Sequence, residues 1–164
     1  MPATPYHFLP HSAVALALNR VIDWPTFLLA NIFIDIQPLL VLTGLMGGPL
    51  HGLTHTYLFG GVIGVITGIC SYQFLPIYTH IFNAVRFPYA TNLQKMVLSG
   101  ILGAWLHILT DSPIYSDIKP LYPETANPLY GLLNYQQMSQ ICLLFFPVAV
   151  VFYYRNAKKH SEQK

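Results

Sequence analysis

His51-Gly-Leu-Thr-His55-Thr56 leads into Tyr57-Leu-Phe-Gly60-Gly-Val-Ile-Gly64-Val-Ile-Thr-Gly68-Ile-Cys70, and the chain runs on to Ile77 without a charged residue. A helix of ~20 apolar residues crosses a bilayer core about 30 Å thick, so this stretch reads as a membrane helix. At its head stand two imidazoles four residues apart. On a helix that spacing stacks both rings on one face. His107 and Asp111 repeat it in Gly103-Ala-Trp-Leu-His107-Ile-Leu-Thr-Asp111-Ser112.

The whole chain shares this character. Its 164 residues are 54% hydrophobic and 9% charged, with a mean hydropathy of +0.47. Soluble domains average about 25% charged residues, and a bilayer is the simplest reason for the deficit. The net charge of +2 is carried by scattered basic residues, which excludes a nucleic-acid surface. Cys70 and Cys142 lie in apolar segments outside any CxxC and read as small core residues with free thiols. No basic n-region followed by an apolar segment and a small-residue cleavage site opens the chain, so no cleavable signal peptide is expected.

Taken in order, Pro2, Pro5 and Pro10 keep the first ten residues irregular until Pro10 starts a helix over about 11–22. That helix is short for a span, so its crossing stays open. Asp23-Trp-Pro25 caps and starts the next helix, about 25–46, which carries Asn31 and Asp35 and should kink at Pro38. Gly47-Gly-Pro49 makes a turn. An apolar helix over about 54–77 carries Gly60, Gly64 and Gly68 as a small-residue stripe suited to close helix packing with a partner. A polar loop over 80–95, a helix over about 96–111, a long loop over about 112–135 and a last span over about 137–154 complete a single membrane domain, 1–154. A basic tail, 155–164, follows.

With the C-terminus inside, Arg20, Arg86, Lys95, Arg155, Lys158, Lys159 and Lys164 fall on the cytoplasmic side and only Lys119 outside. This is the asymmetry of the positive-inside rule. The same topology brings His7, His11, His51, His55, His107, Asp111 and Asp117 to the outer end, with Asp35 deeper, roughly 15 to 20 Å below the end of its helix.

A charged group in the hydrocarbon region costs about 2.5 to 3.5 kcal/mol, so an intramembrane acid is a functional candidate. Asp35 and Asp111 have no Lys or Arg in their own spans. Histidines with a divalent cation would compensate both, and mixed imidazole and carboxylate ligands suit zinc or a similar ion. The candidate ligands are His7, Asp35, His51, His55, His107 and Asp111, enough for one or two ions. Each also has a plainer use: His51 and His55 as interfacial donors, His107 with Asp111 as a private pair, Asp35 bonded to Asn31. Jointly they point to a site. His11 has a weaker claim, and His80 and His160 fall on the other side. HExxH, GxSxG and the P-loop are absent, which weighs against a peptidase.

Thr4-Pro5-Tyr6-His7, Leu29-Ala-Asn-Ile-Phe-Ile-Asp35-Ile-Gln-Pro38, the HxxxHT block at His51, the HxxxDS block at His107 and Asn127-Pro-Leu129 occur in an order that resembles the predicted membrane-bound metal-dependent hydrolases. These are small bacterial inner-membrane proteins related to the LexA-regulated membrane hydrolase. The resemblance covers Thr4 to about Leu132, and its two histidine blocks are its most specific parts. It implies a multi-helix membrane protein with a metal centre on the six candidate ligands, with Asp117 matching a family acid. The chain departs from the pattern at Gln37, where relatives often carry an acid, and at Gly52, where they carry a basic or other residue. The ligand spacing is also similar to that of zinc-dependent phospholipases C and nucleases.

The expectation is an all-α integral membrane bundle of four to five helices, with a divalent metal, zinc by preference, opening to the outer face of a bacterial inner membrane. Its first function is metal-dependent hydrolysis of a phosphoester or ester in a lipid or membrane-associated substrate. There Asp35 acts as ligand or base, and Asp117 as an orienting group. The alternative is a non-enzymatic metal-binding or accessory subunit.

Overall fold

The computed structural model describes residues 7–85, 87 and 89–161, with side chains as far as Lys158. Pro2, Thr4, Pro5, Tyr6, Arg86, Pro88 and Lys164 lie outside the described residues, as do the side chains of Lys159 and His160. The described residues form helices only: α1 (Phe8–Ala17), α2 (Trp24–Ile34), α3 (Ile36–Leu42), a 3₁₀ turn (Leu53–His55), α4 (Tyr57–Gln73), α5 (Leu75–Ala84), α6 (Leu93–Asp111) and α7 (Tyr135–Ser161). Three stretches are long and apolar enough to cross a membrane: α2 with α3, α6 and α7. The pair α4 and α5, bent by 69°, makes a fourth if counted as one span. Leu143, Leu144, Phe146 and Val151 point outward from α7, an apolar surface that lipid covers and water would not tolerate.

Local sequence accounts for the helix boundaries. Asp23 caps α2, its carboxylate accepting from the Thr26 N–H at 3.1 Å and the Thr26 hydroxyl at 2.6 Å. Pro38 has no N–H to give, so the ladder fails four residues earlier: α2 stops at Ile34, Asp35 stands in the break, and α3 resumes at Ile36. Asn92 caps α6 by accepting from the Lys95 N–H at 2.9 Å.

Three boundaries differ from the sequence expectation. The first helix begins at Phe8 and ends at Ala17, placing Pro10 inside its first turn, where backbone N–H groups are unpaired anyway. His80 lies on α5 and not in a polar loop, because Leu75-Pro76 restarts a helix directly after α4. The last helix runs past the expected end at about 154, through the basic segment to Ser161, and the Asn156 amide ties it to α1 by donating to the Leu16 carbonyl at 2.9 Å.

The bundle is built around α6. Its buried stripe is Met96, Ser99, Gly100, Gly103, Ala104, His107, Ile108 and Asp111, stepping by three and four. The glycines let backbones approach: a Cβ on Gly64 or Gly68 would meet the backbone of α6, and one on Gly103 would meet the Phe27 carbonyl. The Gly60, Gly64 and Gly68 stripe therefore packs against α6 of its own chain. Ala30 and Ile34 of α2 close on Ala104 and Ile108, while α1 packs on α2 and α7. As a result α2 and α6 end, and α1 and α4 begin, at one end of the bundle.

Candidate metal centre

At that end the apolar stripe of α6 gives way to His107 and Asp111, both buried. Asp35 reaches them from the α2–α3 break, and His55 from the 3₁₀ turn before α4. His107 Nε2 lies 3.2 Å from Asp35 Oδ1 and 3.2 Å from Asp111 Oδ2. His55 Nε2 lies 3.7 Å from Asp35 Oδ1 and 3.9 Å from Asp111 Oδ2. All four ligand atoms fall within 4.8 Å of one another. A tetrahedral site with bonds of 2.0 to 2.2 Å has ligand-to-ligand edges of about 3.3 to 3.6 Å, so the set is close to a closed coordination shell. Two carboxylates give it a formal charge that a divalent ion balances.

The hydrogen bonds around His55 sharpen this. The Thr54 hydroxyl lies 2.7 Å from Gln37 Oε1, which also accepts the Thr54 N–H at 3.2 Å. An amide oxygen has no proton to give, so the hydroxyl proton lies on that bond, and Thr54 Oγ1 is left to accept from His55 Nδ1, 3.1 Å away. With its proton on Nδ1, His55 turns a bare Nε2 lone pair toward two carboxylate oxygens. Burial pushes its imidazole pKa down, with the Asp35 carboxylate opposing. Lone pairs and anions facing one another in a buried site repel unless a cation stands between them. His55 Nε2, Asp35 Oδ1 and His107 Nε2 are all buried without a hydrogen-bond partner.

The remaining sequence candidates surround this core. His7, at the start of α1, faces the other oxygen of Asp111, with Nδ1 3.4 Å from Oδ1. His51 stacks edge-on against His55, ring centroids 4.7 Å apart, and lies over Tyr115 at 4.2 Å. It stands outside the set of four. Asp117 Oδ1 lies 2.9 Å from His51 Nδ1, so Asp117 touches the site through His51 alone. Burial would raise the Asp117 pKa, but the backbone and ring N–H groups of His51 outweigh it and hold the carboxyl below its usual range. Asn127 braces the loop that carries Asp117, donating to the Ser112 carbonyl at 2.9 Å.

Three residues carry more than the sequence reading gave them. His11 is fully buried, its centroid 6.1 Å from His7 and 6.3 Å from His107. Its spacing of four from His7 was the available signal. Gln37 stood out in the sequence only as a departure from the resembled family and Thr54 not at all, yet in space the two hydrogen-bond each other beside His55.

Two hollows flank the 52–54 segment. One, about 290 Å³, is bordered by His51, Gly52, Leu53, Asp117, Lys119 and Tyr122. The other, also about 290 Å³, is an apolar groove between α3 and α4 that ends at Gln37 and Thr54. No protein-family model, curated protein or solved structure matches the chain.

Proposed function

We propose that this protein is a membrane-embedded metal-dependent hydrolase of the predicted membrane-bound metal-dependent hydrolase type, acting on a phosphoester or ester of a membrane lipid. The observation that carries the metal centre is the buried group of four, in which one ligand atom each of Asp35, His55, His107 and Asp111 lies within 4.8 Å of the others. His55, His107, Asp35 and Asp111 would hold the ion, zinc by the chemistry of the donors, with His7 and His51 close enough to complete or extend the shell. When bound, a divalent ion lowers the pKa of water and polarises the bond to be cleaved.

The chain's own residues supply the rest. Asp35 or His7 takes the proton of the attacking water as its oxygen bonds to phosphorus or acyl carbon, and returns that proton to the alcohol oxygen as the ester bond to it breaks. Lys119, beside Asp117 and His51, gives the first hollow a cation for an anionic head group. The apolar groove between α3 and α4 suits an acyl chain, and the two hollows adjoin at Gly52–Thr54. The family resemblance implies a bacterial inner membrane, and an outward-facing site with a cytoplasmic C-terminus is inferred from the distribution of Lys and Arg.

The test is metal content by plasma mass spectrometry on the detergent-purified chain, beside a His55→Ala, His107→Ala double variant. About one or two equivalents in the wild type and none in the variant supports the centre, and metal-dependent cleavage of a phosphatidic-acid or phosphodiester panel supports the activity. A wild type that binds no metal under reconstitution overturns the reading. Metal binding without turnover favours a metal-binding or accessory subunit.

A further inference from the structure

We propose that Thr54 and Gln37 are positioning residues that set the tautomer of His55, and that Gly52 is glycine to make room for them. The proposal rests on the metal-centre reading above and goes beyond it by naming what prepares the site for its ion.

The chain of bonds has one direction. The Thr54 N–H is an obligate donor, so the Gln37 atom it meets at 3.2 Å is the amide oxygen. That same oxygen lies 2.7 Å from the Thr54 hydroxyl, and the only proton available between the two oxygens is the hydroxyl's. The hydroxyl oxygen then accepts from His55 Nδ1 at 3.1 Å. Each step leaves the next no choice, and in the neutral ring a proton held on Nδ1 leaves Nε2 bare on the ion-facing side. A metal-ligating histidine requires this arrangement, its second nitrogen donating outward to a group that fixes ring and tautomer.

Gly52 completes the device from the backbone. A Cβ added there would collide with the Gln37 amide group, whose Cδ it would approach to 2.8 Å and whose Oε1 to 3.0 Å. Gln37 is thus pressed between the 52–54 segment and the lipid-facing groove that it lines with Thr54. An alanine at 52 displaces the amide and frees the Thr54 hydroxyl to turn toward His55, which would put the proton on Nε2.

Two readouts test this on the full-length chain in detergent. The first is zinc affinity by competition with a chromogenic chelator, for wild type, Thr54→Val, Thr54→Ser and Gly52→Ala. The valine and alanine variants are expected to bind roughly 10 to 100-fold more weakly, and Thr54→Ser to return to near wild type. The second is the 15N imidazole spectrum of the metal-free protein, which distinguishes an Nδ1–H from an Nε2–H ring. His55, assigned by its loss in His55→Ala, should be Nδ1–H in wild type and Thr54→Ser and should shift toward Nε2–H in Thr54→Val.

A wild-type His55 protonated on Nε2 overturns the proposal. So does a folded Thr54→Val or Gly52→Ala variant that binds zinc as tightly as wild type. If Thr54→Val does not fold, Gly52→Ala and the wild-type tautomer decide the matter. Should wild type bind no zinc at all, the metal-centre reading fails first, and it takes this proposal with it.

Discussion

Asp117 grips His51 twice: one carboxylate oxygen accepts the His51 backbone N–H at 2.9 Å and the other lies 2.9 Å from the ring Nδ1. The two residues are 66 positions apart, so this pair pins the loop after α6 to the segment entering α4. An ionised carboxylate only accepts, so it also fixes a proton of His51 on Nδ1, while Nε2 is buried without a hydrogen-bond partner among the described residues.

Replacing Asp117 by Asn therefore does more than remove a charge. One amide atom must serve each His51 group, and with the oxygen on the backbone N–H the NH₂ faces Nδ1 and drives the ring proton to Nε2. Asp117→Asn should weaken zinc binding on the order of tenfold if His51 contributes to the ion's surroundings. Chelator competition beside wild type measures it.

The same pair has a pH signature. The folded pKa of Asp117 lies below its unfolded value, so its contribution is present above the ordinary carboxylate range and is lost as pH falls through the depressed folded value. Hydrogen-exchange protection of the 51–57 segment in metal-free protein should hold from pH 7 to about 5 and decline below about 4. In Asp117→Asn that carboxylate-dependent decline should be missing.

Metal should stabilise the fold by linkage. At free zinc one hundredfold above its dissociation constant the gain is about 2.7 kcal/mol, read as a higher thermal midpoint in detergent. The gain should vanish in His55→Ala, His107→Ala. Asp111→Asn should likewise lose the zinc-dependent gain, read as the difference in thermal midpoint with and without metal.

Helix packing gives a contrast between neighbouring glycines. A Cβ on Gly64 would run into the Ile101 and Gly100 backbone, which cannot rotate away, whereas one on Gly61 meets Trp105 Nε1 at 3.4 Å, an ordinary contact. Gly64→Ala should cost about 1 to 3 kcal/mol, and Gly61→Ala much less, by thermal unfolding.

Topology is open to a direct check. In a cysteine-free background, Lys119→Cys should react with a membrane-impermeant maleimide added to intact spheroplasts, and Lys158→Cys only after lysis. The reverse pattern would turn the site toward the cytoplasm.

The sequence by itself determined that the chain is helical and apolar, because hydropathy and charge spacing are local properties that need no partner to be read. It also singled out His7, Asp35, His51, His55, His107 and Asp111 as candidate ligands, the two acids because a carboxylate without a basic neighbour in an apolar helix stands out on cost alone. Periodicity placed His107 and Asp111 on the stripe that α6 buries.

Only the tertiary structure decided which candidates converge. His51 and His55 look alike in sequence, yet His55 faces Asp35 and Asp111 while His51 is taken by Asp117. That difference arises from a loop folding back across 66 positions, which no local pattern encodes. The departures from the resembled family at Gln37 and Gly52 read separately along the chain, and in space they touch. The glycine stripe could equally have served another protein until α6 was found against it. Pairing of this kind depends on distances between segments remote in sequence, and those are set by how all the helices pack together.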